Sequence, residues 1–345
     1  MQMDVATIFD DPQVMFFGFE GNHARFVRMT RQTYARSIFF DHRLQRADQQ
    51  SFTVPLDPLL DHLAKTGLEP PRIRFIHHFA QSGSTLLARA LDQPENLVIR
   101  EPWHLRQLGV AAGAAAEGPL QSGQREVLSF SLAMLGKRFA VGSSLIVKGN
   151  VPISLLGSAI ADIDPDQAAI LLYFPLDDYC AAVLRTPGHR QWLDTVTSEI
   201  DLGNDRLVGD ISRLGSPEKA AALWYSMIKR FERLLALHPA MRSLDANHLF
   251  DRPVETIAAA SELLDAGLDA AEARRIATGP LFSSYSKNPA VTYAPSTRVE
   301  RREQAKATLA KDIQLARRWV EERAAVTGLP AALDRSLLGE AAMLL

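Results

Sequence analysis

Cysteine is the scarcest residue: Cys180 is the only one among 345 residues. One thiol cannot close an intrachain disulfide, and no zinc site can be assembled from several thiolates. Charge of one sign is scarce too. The 38 Lys and Arg nearly balance 40 Asp and Glu, leaving a formal net charge of −2. No global field therefore favours a nucleic-acid partner. Long apolar runs are absent, and nothing approaches the roughly 18–20 uncharged residues that span a bilayer. Met1 to Asp11 carries acids early and lacks a basic segment followed by an apolar run, so no secretory leader is read there. Nor does any spacing make the histidines a metal set. These absences lead us to expect a soluble cytoplasmic protein with no metal, membrane or nucleic-acid partner. A homo-oligomer is compatible with all of them.

What is present is an ordinary globular composition, 47% hydrophobic and 23% charged. Its length suits one large domain with appendages, or two domains. Residues 1–65 read as an N-terminal appendage. Val14–Phe19 and Tyr34–Phe40 look like short strands or buried hooks, and Val54–Leu63 like a short helix entered through Pro55. Residues 66–295 read as an α/β core. Strand character appears at Arg72–Phe79, Leu97–Arg100, Leu145–Lys148, Ala168–Phe174 and Met241–Leu244, rich in β-branched and aromatic residues. Helical patterns fall between them, at Ser84–Leu91, Gln124–Arg138, Pro152–Ile163 and from Ser216, the expected N-cap, to His238. Such alternation predicts a three-layer α/β fold, a parallel sheet with helices on both faces. Residues 296–345 read as a helical C-terminus, with one long amphipathic helix over Arg298–Arg323 packed on the core or on a second subunit.

The first strand runs straight into Gln81-Ser82-Gly83-Ser84-Thr85 and then a helix. Phosphate groups favour that arrangement, because glycine lets the backbone approach, the free N–H groups point at oxygen, and the helix dipole favours negative charge. A capped strand-to-helix turn with no ligand would use the same four residues Ser82 to Thr85.

The stretch FIHHFAQSGSTLLARAL, Phe75 to Leu91, resembles the 5′-phosphosulfate loop of the sulfotransferase family. Glu101-Pro102 stands where bacterial sulfotransferase-like proteins carry an EP pair. Val147-Lys148, Ile170-Leu172 before Pro175, Trp224 and Leu244–Leu264 are similar to later segments of that family. The likeness covers about Arg72 to Leu264. It implies a P-loop nucleotide-binding fold, 3′-phosphoadenosine 5′-phosphosulfate as co-substrate, no metal, and an acceptor hydroxyl or amine of unknown identity. It further implies that Gln81, Ser82, Gly83, Ser84 and Thr85 hold the co-substrate, with Lys287 as a late basic contact to its 3′-phosphate. Two family cations are replaced. Gln81 occupies the place of the loop's Lys or Arg, and Tyr173-Phe174-Pro175 the place of Arg-Asp-Pro.

Lys148, ending a strand where parallel sheets place ligands, is the expected substitute cation, with Arg100 similarly placed. Glu101 is the expected general base or the group that orients it, unless it merely pairs with Arg100, Arg106 or Lys148. Strand alternation sends His77 and His78 to opposite faces, so at most one of them reaches the ligand easily; His78 is the candidate base, unless it is simply a hydrogen-bonded, half-buried imidazole. Asp177 and Asp178 are expected to complement a helix dipole, and Cys180 to lie in the core. Two other functions compete: a kinase or NTPase, for which Gly-x-x-x-x-Gly-Lys-Ser/Thr is missing, and a non-catalytic descendant of the sulfotransferase fold acting as a binding module.

Overall fold

A computed structural model describes residues 4–44, 50–94, 96–113, 122–139, 144–285, 288–292 and 295–345. After a short helix, Val5–Asp10, comes a three-stranded antiparallel sheet, β1 (Val14–Glu20), β2 (His23–Arg28) and β3 (Ser51–Pro55). β1 serves two cores by the period-two alternation of a strand. Val14 and Phe16 pack with Ile8, Phe26 and Leu59 in a satellite cluster, whereas Met15 and Phe17 join the main core. Phe130 and Met134 of helix Ser122–Leu135 close the satellite cluster from the core side. The helix expected from Pro55 begins at Leu56 and runs to Thr66, because Ser51–Pro55 pairs with β2.

β4 (Arg74–His78), β5 (Leu97–Arg100), β6 (Leu145–Lys148), β7 (Ala169–Tyr173) and β8 (Met241–Asp245) form one sheet in the order β5-β6-β4-β7-β8. All four pairings are parallel. β6 and β7 are buried throughout, as expected for strands covered on both faces. The expected α/β parallel sheet flanked by helices, and the helical C-terminus, are therefore what the chain forms. The chain leaves β4 toward β5 on one side, and β7 toward β8 on the other. Open α/β sheets bind ligands in the crevice that such a divergence leaves at the carboxyl ends of the strands.

Several boundaries differ from expectation. The helix after β6 is two short pieces, Val151–Leu155 and Gly157–Ala161. Gly215, not Ser216, occupies the N-cap of the helix that ends at Leu237, and Ser216 and Pro217 lie inside its first turn. The long C-terminal helix breaks at Leu309 into Pro295–Thr308 and Ala310–Thr327. The second of these lays Ile313, Ala316, Trp319 and Val320 on the core. Beyond it the terminal segment returns to the sheet edge, where Ser336 bridges Ser243 and Leu344 is fully buried.

Candidate active site

A cavity of about 780 Å³ opens at the carboxyl ends of β4, β5 and β6. Its floor is the loop between β4 and helix Ser84–Leu91. Two residues there are left-handed, Gln81 at φ +63° and Gly83 at φ +78°. Gly83 is required twice over. It takes a conformation that a side chain resists, and a Cβ on it would lie 2.6 Å from Cζ of Phe250. The Gly83 carbonyl accepts from Leu86 and Leu87 N–H at 2.8 and 3.1 Å, so the helix starts there. Ser84 and Thr85 follow, buried yet lining the cavity. The Thr85 hydroxyl, 2% exposed, has no hydrogen-bond partner. A buried polar atom without a partner is costly, and this one stands at a helix N-terminus beside a cavity, where free N–H groups favour anions.

Not every residue of the loop faces this space. Ser82 is fully buried, and its hydroxyl donates to the Phe79 carbonyl at 2.7 Å. It braces the turn and does not line the cavity. Gln81 does line it. Lys287 lies outside the described residues.

Sheet register brings the acid–base candidates together. Arg100 is opposite Lys148, which is opposite Ile76 of β4. Glu101, at φ +57°, donates its N–H to the Lys148 carbonyl at 2.7 Å and turns its carboxylate back over the end of β6. Lys148 Nζ donates to Glu101 Oε1. Burial pushes the Lys148 ammonium below its ordinary value, and the Glu101 carboxylate opposes that shift. The other oxygen, Oε2, has Arg43 Nη2 at 3.7 Å, beyond hydrogen-bond range. His78 lines the same cavity from β4. Its Nδ1 lies 2.8 Å from the Phe79 carbonyl. A carbonyl only accepts, so Nδ1 carries the hydrogen, and Nε2 is the basic nitrogen of the neutral ring. His77 takes the opposite face, as alternation requires. Its imidazole is fully buried, stacked on Phe75 at 5.3 Å, and desolvation holds its pKa down to about 4.

Arg100 corrects one expectation. Its guanidinium turns away from the cavity, pairs with Asp92 at 2.7 Å and donates to the carbonyls of Tyr34, Ser37 and Ile38. It is 1% exposed and anchors the N-terminal segment. Asp177 and Asp178 sit in a first helical turn, as expected, and also pair with the C-terminal helices. Asp177 meets Arg317 at 2.9 Å, and Asp178 meets Lys306 at 2.6 Å. Cys180 is buried, and desolvation pushes its thiol far up, away from nucleophile chemistry.

Sequence reasoning missed several residues of the cavity wall: Arg43, Trp103, Arg185, Trp192, Phe250 and Arg301. They come from five separate segments, and no motif spacing connects them. Arg185 is exposed and meets no acceptor among the described residues. Arg302, also in the wall, donates to Asn247 Oδ1 at 2.6 Å and has Asp178 at 3.8 Å.

No protein-family model matches the chain, and no curated protein matches it. Among solved structures it is similar to the sulfotransferase domain from the curacin biosynthetic pathway. That likeness has 13% identity and a TM-score of 0.43, over 76% of this chain and 98% of that domain. A sulfotransferase from Alicyclobacillus acidocaldarius is similar at 14% identity and a TM-score of 0.36, over 74% of this chain and 97% of that one.

Proposed function

We propose that the chain is a nucleotide-dependent transferase of the sulfotransferase type, binding 3′-phosphoadenosine 5′-phosphosulfate and passing its sulfuryl group to a hydroxyl or amine. The observation that carries this reading is the unpartnered Thr85 hydroxyl beside the N-terminus of helix Ser84–Leu91, at the floor of a cavity that holds a carboxylate and a lysine. The sequence resemblance supplies the choice of nucleotide.

The residues present fit such a ligand. Thr85, Ser84, Gln81 and the backbone N–H groups of the loop would hold its phosphosulfate end. Cations absent from the family positions have substitutes elsewhere in the wall. Lys148 stands at the end of β6, Arg185 lines the cavity from the turn before helix Pro187–Glu199, and Arg301 and Arg302 line it from helix Pro295–Thr308. In the transfer, the acceptor oxygen or nitrogen bonds to sulfur as the sulfur–phosphate oxygen bond breaks, the acceptor proton leaves to a protein base, and adenosine 3′,5′-bisphosphate departs. Glu101 Oε2 is the candidate to take that proton, because Lys148 occupies Oε1 and Arg43, at 3.7 Å from Oε2, does not hydrogen-bond to it. His78, which also lines the cavity, is a second candidate to accept the proton, through Nε2. Lys148 keeps Glu101 oriented and brings positive charge to the site, where negative charge develops on the departing phosphate oxygen.

Calorimetric titration with adenosine 3′,5′-bisphosphate, without magnesium, tests the reading. Micromolar binding is expected for the native protein, with a loss of about tenfold in Thr85→Val, as for one charge-assisted hydrogen bond. Absence of heat from a folded native protein would sink the sulfotransferase reading. Tight binding without turnover on any acceptor would move the assignment to a binding module that keeps the nucleotide site.

A further inference from the structure

Helix Pro295–Thr308 lies against one side of the cavity, where its Arg301, Arg302 and Ala305 line the wall. Its attachment differs in kind from that of the helix that follows. Ala310–Thr327 buries Ile313, Ala316, Trp319 and Val320. None of residues 300–308 is buried, and Ala305 is the one hydrophobic side chain among them that packs against the main core. Apolar burial is what ordinarily fixes a helix on a core, so this helix is held by other means. The break at Leu309, with φ −100° and ψ +15°, separates the two modes of attachment.

The holding contacts converge on Asp178. This carboxylate stands in the first turn of helix Leu176–Val183, lines the cavity and has only 10% of its side chain exposed. Lys306 Nζ lies 2.6 Å from its Oδ1. Asn247 Nδ2 donates to its Oδ2 at 3.1 Å, and Asn247 Oδ1 accepts from Arg302 Nη1 at 2.6 Å. Arg302 is itself only within ionic range of Asp178, Nε at 3.8 Å. Its nearer carboxylate, Glu303 at 3.3 Å, is 59% exposed. Nη2 of Arg302 makes no hydrogen bond among the described residues. The charges of Arg302 and Lys306 are thus cancelled by Asp178 and Glu303. A phosphate entering from the cavity meets a carboxylate already engaged with the cations that would receive it. Arg302 loses least by turning toward that phosphate, since its exposed ion pair is weak and its one short bond is to a neutral amide.

We propose, resting on the nucleotide reading above, that Asp178 is an internal competitor of the ligand's anion and forms an autoinhibitory contact with Arg302 and Lys306. In the empty protein it tethers helix Pro295–Thr308 to the cavity wall. A phosphate group of the ligand displaces it from Arg302, so the affinity of the site and the seating of this helix belong to one equilibrium. Like charge opposes the approaching phosphate at a partly buried position, where salt screens less than at the open surface. The neighbouring Asp177 takes no part, because it pairs with Arg317 of helix Ala310–Thr327 and does not line the cavity.

Two substitutions of opposite sign separate a competing anion from a merely structural tether. Adenosine 3′,5′-bisphosphate is titrated by calorimetry, without magnesium, into the full-length native protein, Asp178→Asn and Lys306→Gln. Asp178→Asn keeps the shape of the side chain and removes the competing charge, so binding is expected to tighten at least fivefold. Lys306→Gln leaves Asp178 without its partner, so binding is expected to weaken at least fivefold. A tether without competition would give weaker or unchanged binding in both. Hydrogen exchange over residues 300–308 should be faster in ligand-free Asp178→Asn than in the native protein, and slow again under saturating bisphosphate; unchanged exchange overturns the tether. Equal or weaker binding by folded Asp178→Asn overturns the proposal and leaves the nucleotide reading standing. If that variant does not fold, Lys306→Gln decides, and unchanged or tighter binding by it overturns the proposal. If bisphosphate does not bind the native protein, the nucleotide reading falls, and the same series with inorganic pyrophosphate decides the contact. Tighter binding by Asp178→Asn then sustains it, and unchanged binding or none overturns it.

Discussion

At Gly83 two constraints coincide, the left-handed φ of +78° and the Phe250 ring at 2.6 Å from any added Cβ. They can be separated experimentally. Gly83→Ala should cost about 1–3 kcal/mol, combining backbone strain with overpacking. In a double-mutant cycle with Phe250→Ala, the steric part should appear as coupling and the strain should remain; additive costs would mean that the ring moves aside freely. The glycine itself is legible in the sequence, since a small-residue turn before a helix calls for one. Gln81 and Glu101 are not legible in the same way. Both adopt φ near +60°, a conformation that neither residue type announces. Glu101 takes it because its N–H must reach the Lys148 carbonyl on the adjacent strand at 2.7 Å. Sequence nominated Glu101, Lys148 and His78; strand register assembled them.

Among the elements, the segment between β2 and β3 departs furthest from expectation. Tyr34–Phe40 has the aromatic and β-branched content of a strand or hook. Arg31–Arg36 is instead a helix, because Thr30 caps it by accepting from Thr33 N–H. Only Ser37–Phe40 forms the hook, tied down by Arg100 of the core. Arg100→Ala should therefore cost about 3–5 kcal/mol, since it strips buried carbonyls and leaves Asp92 without its 2.7 Å partner. Chemical denaturation measures this directly. A cost under about 1 kcal/mol would mean that water replaces the guanidinium. Misreading Arg100 as a ligand cation has a plain origin. It ends a strand beside Glu101, and sequence does not show that a separate segment folds back over it.

For the whole molecule, two buried imidazoles set a dependence on acid. Desolvation holds His77 at about 4 and His104 at about 3, both below the ordinary 6.5. His104 is stacked on Phe16 at 4.6 Å. The unfolded chain binds these protons first, so their contribution is complete above about pH 6.5 and is lost as pH falls toward the folded-state values. Each imidazole can remove up to about 1.4 kcal/mol per pH unit in that window. Denaturant midpoints measured from pH 7 to 4.5 should fall, and His77→Phe should flatten the slope by about one proton. An unchanged slope would mean that His77 is protonated in the native state. Composition and periodicity by themselves determined the alternating α/β order, the five core strands and the glycine turn, because burial on both faces and helix entry are local signals. The site's walls, the two left-handed residues at its edge and the inward role of Arg100 were decided by tertiary structure alone. Phe39, Trp192 and the Glu101–Trp103 turn are far apart along the chain, and only parallel register and the return of the N-terminal segment bring their side chains to one cavity.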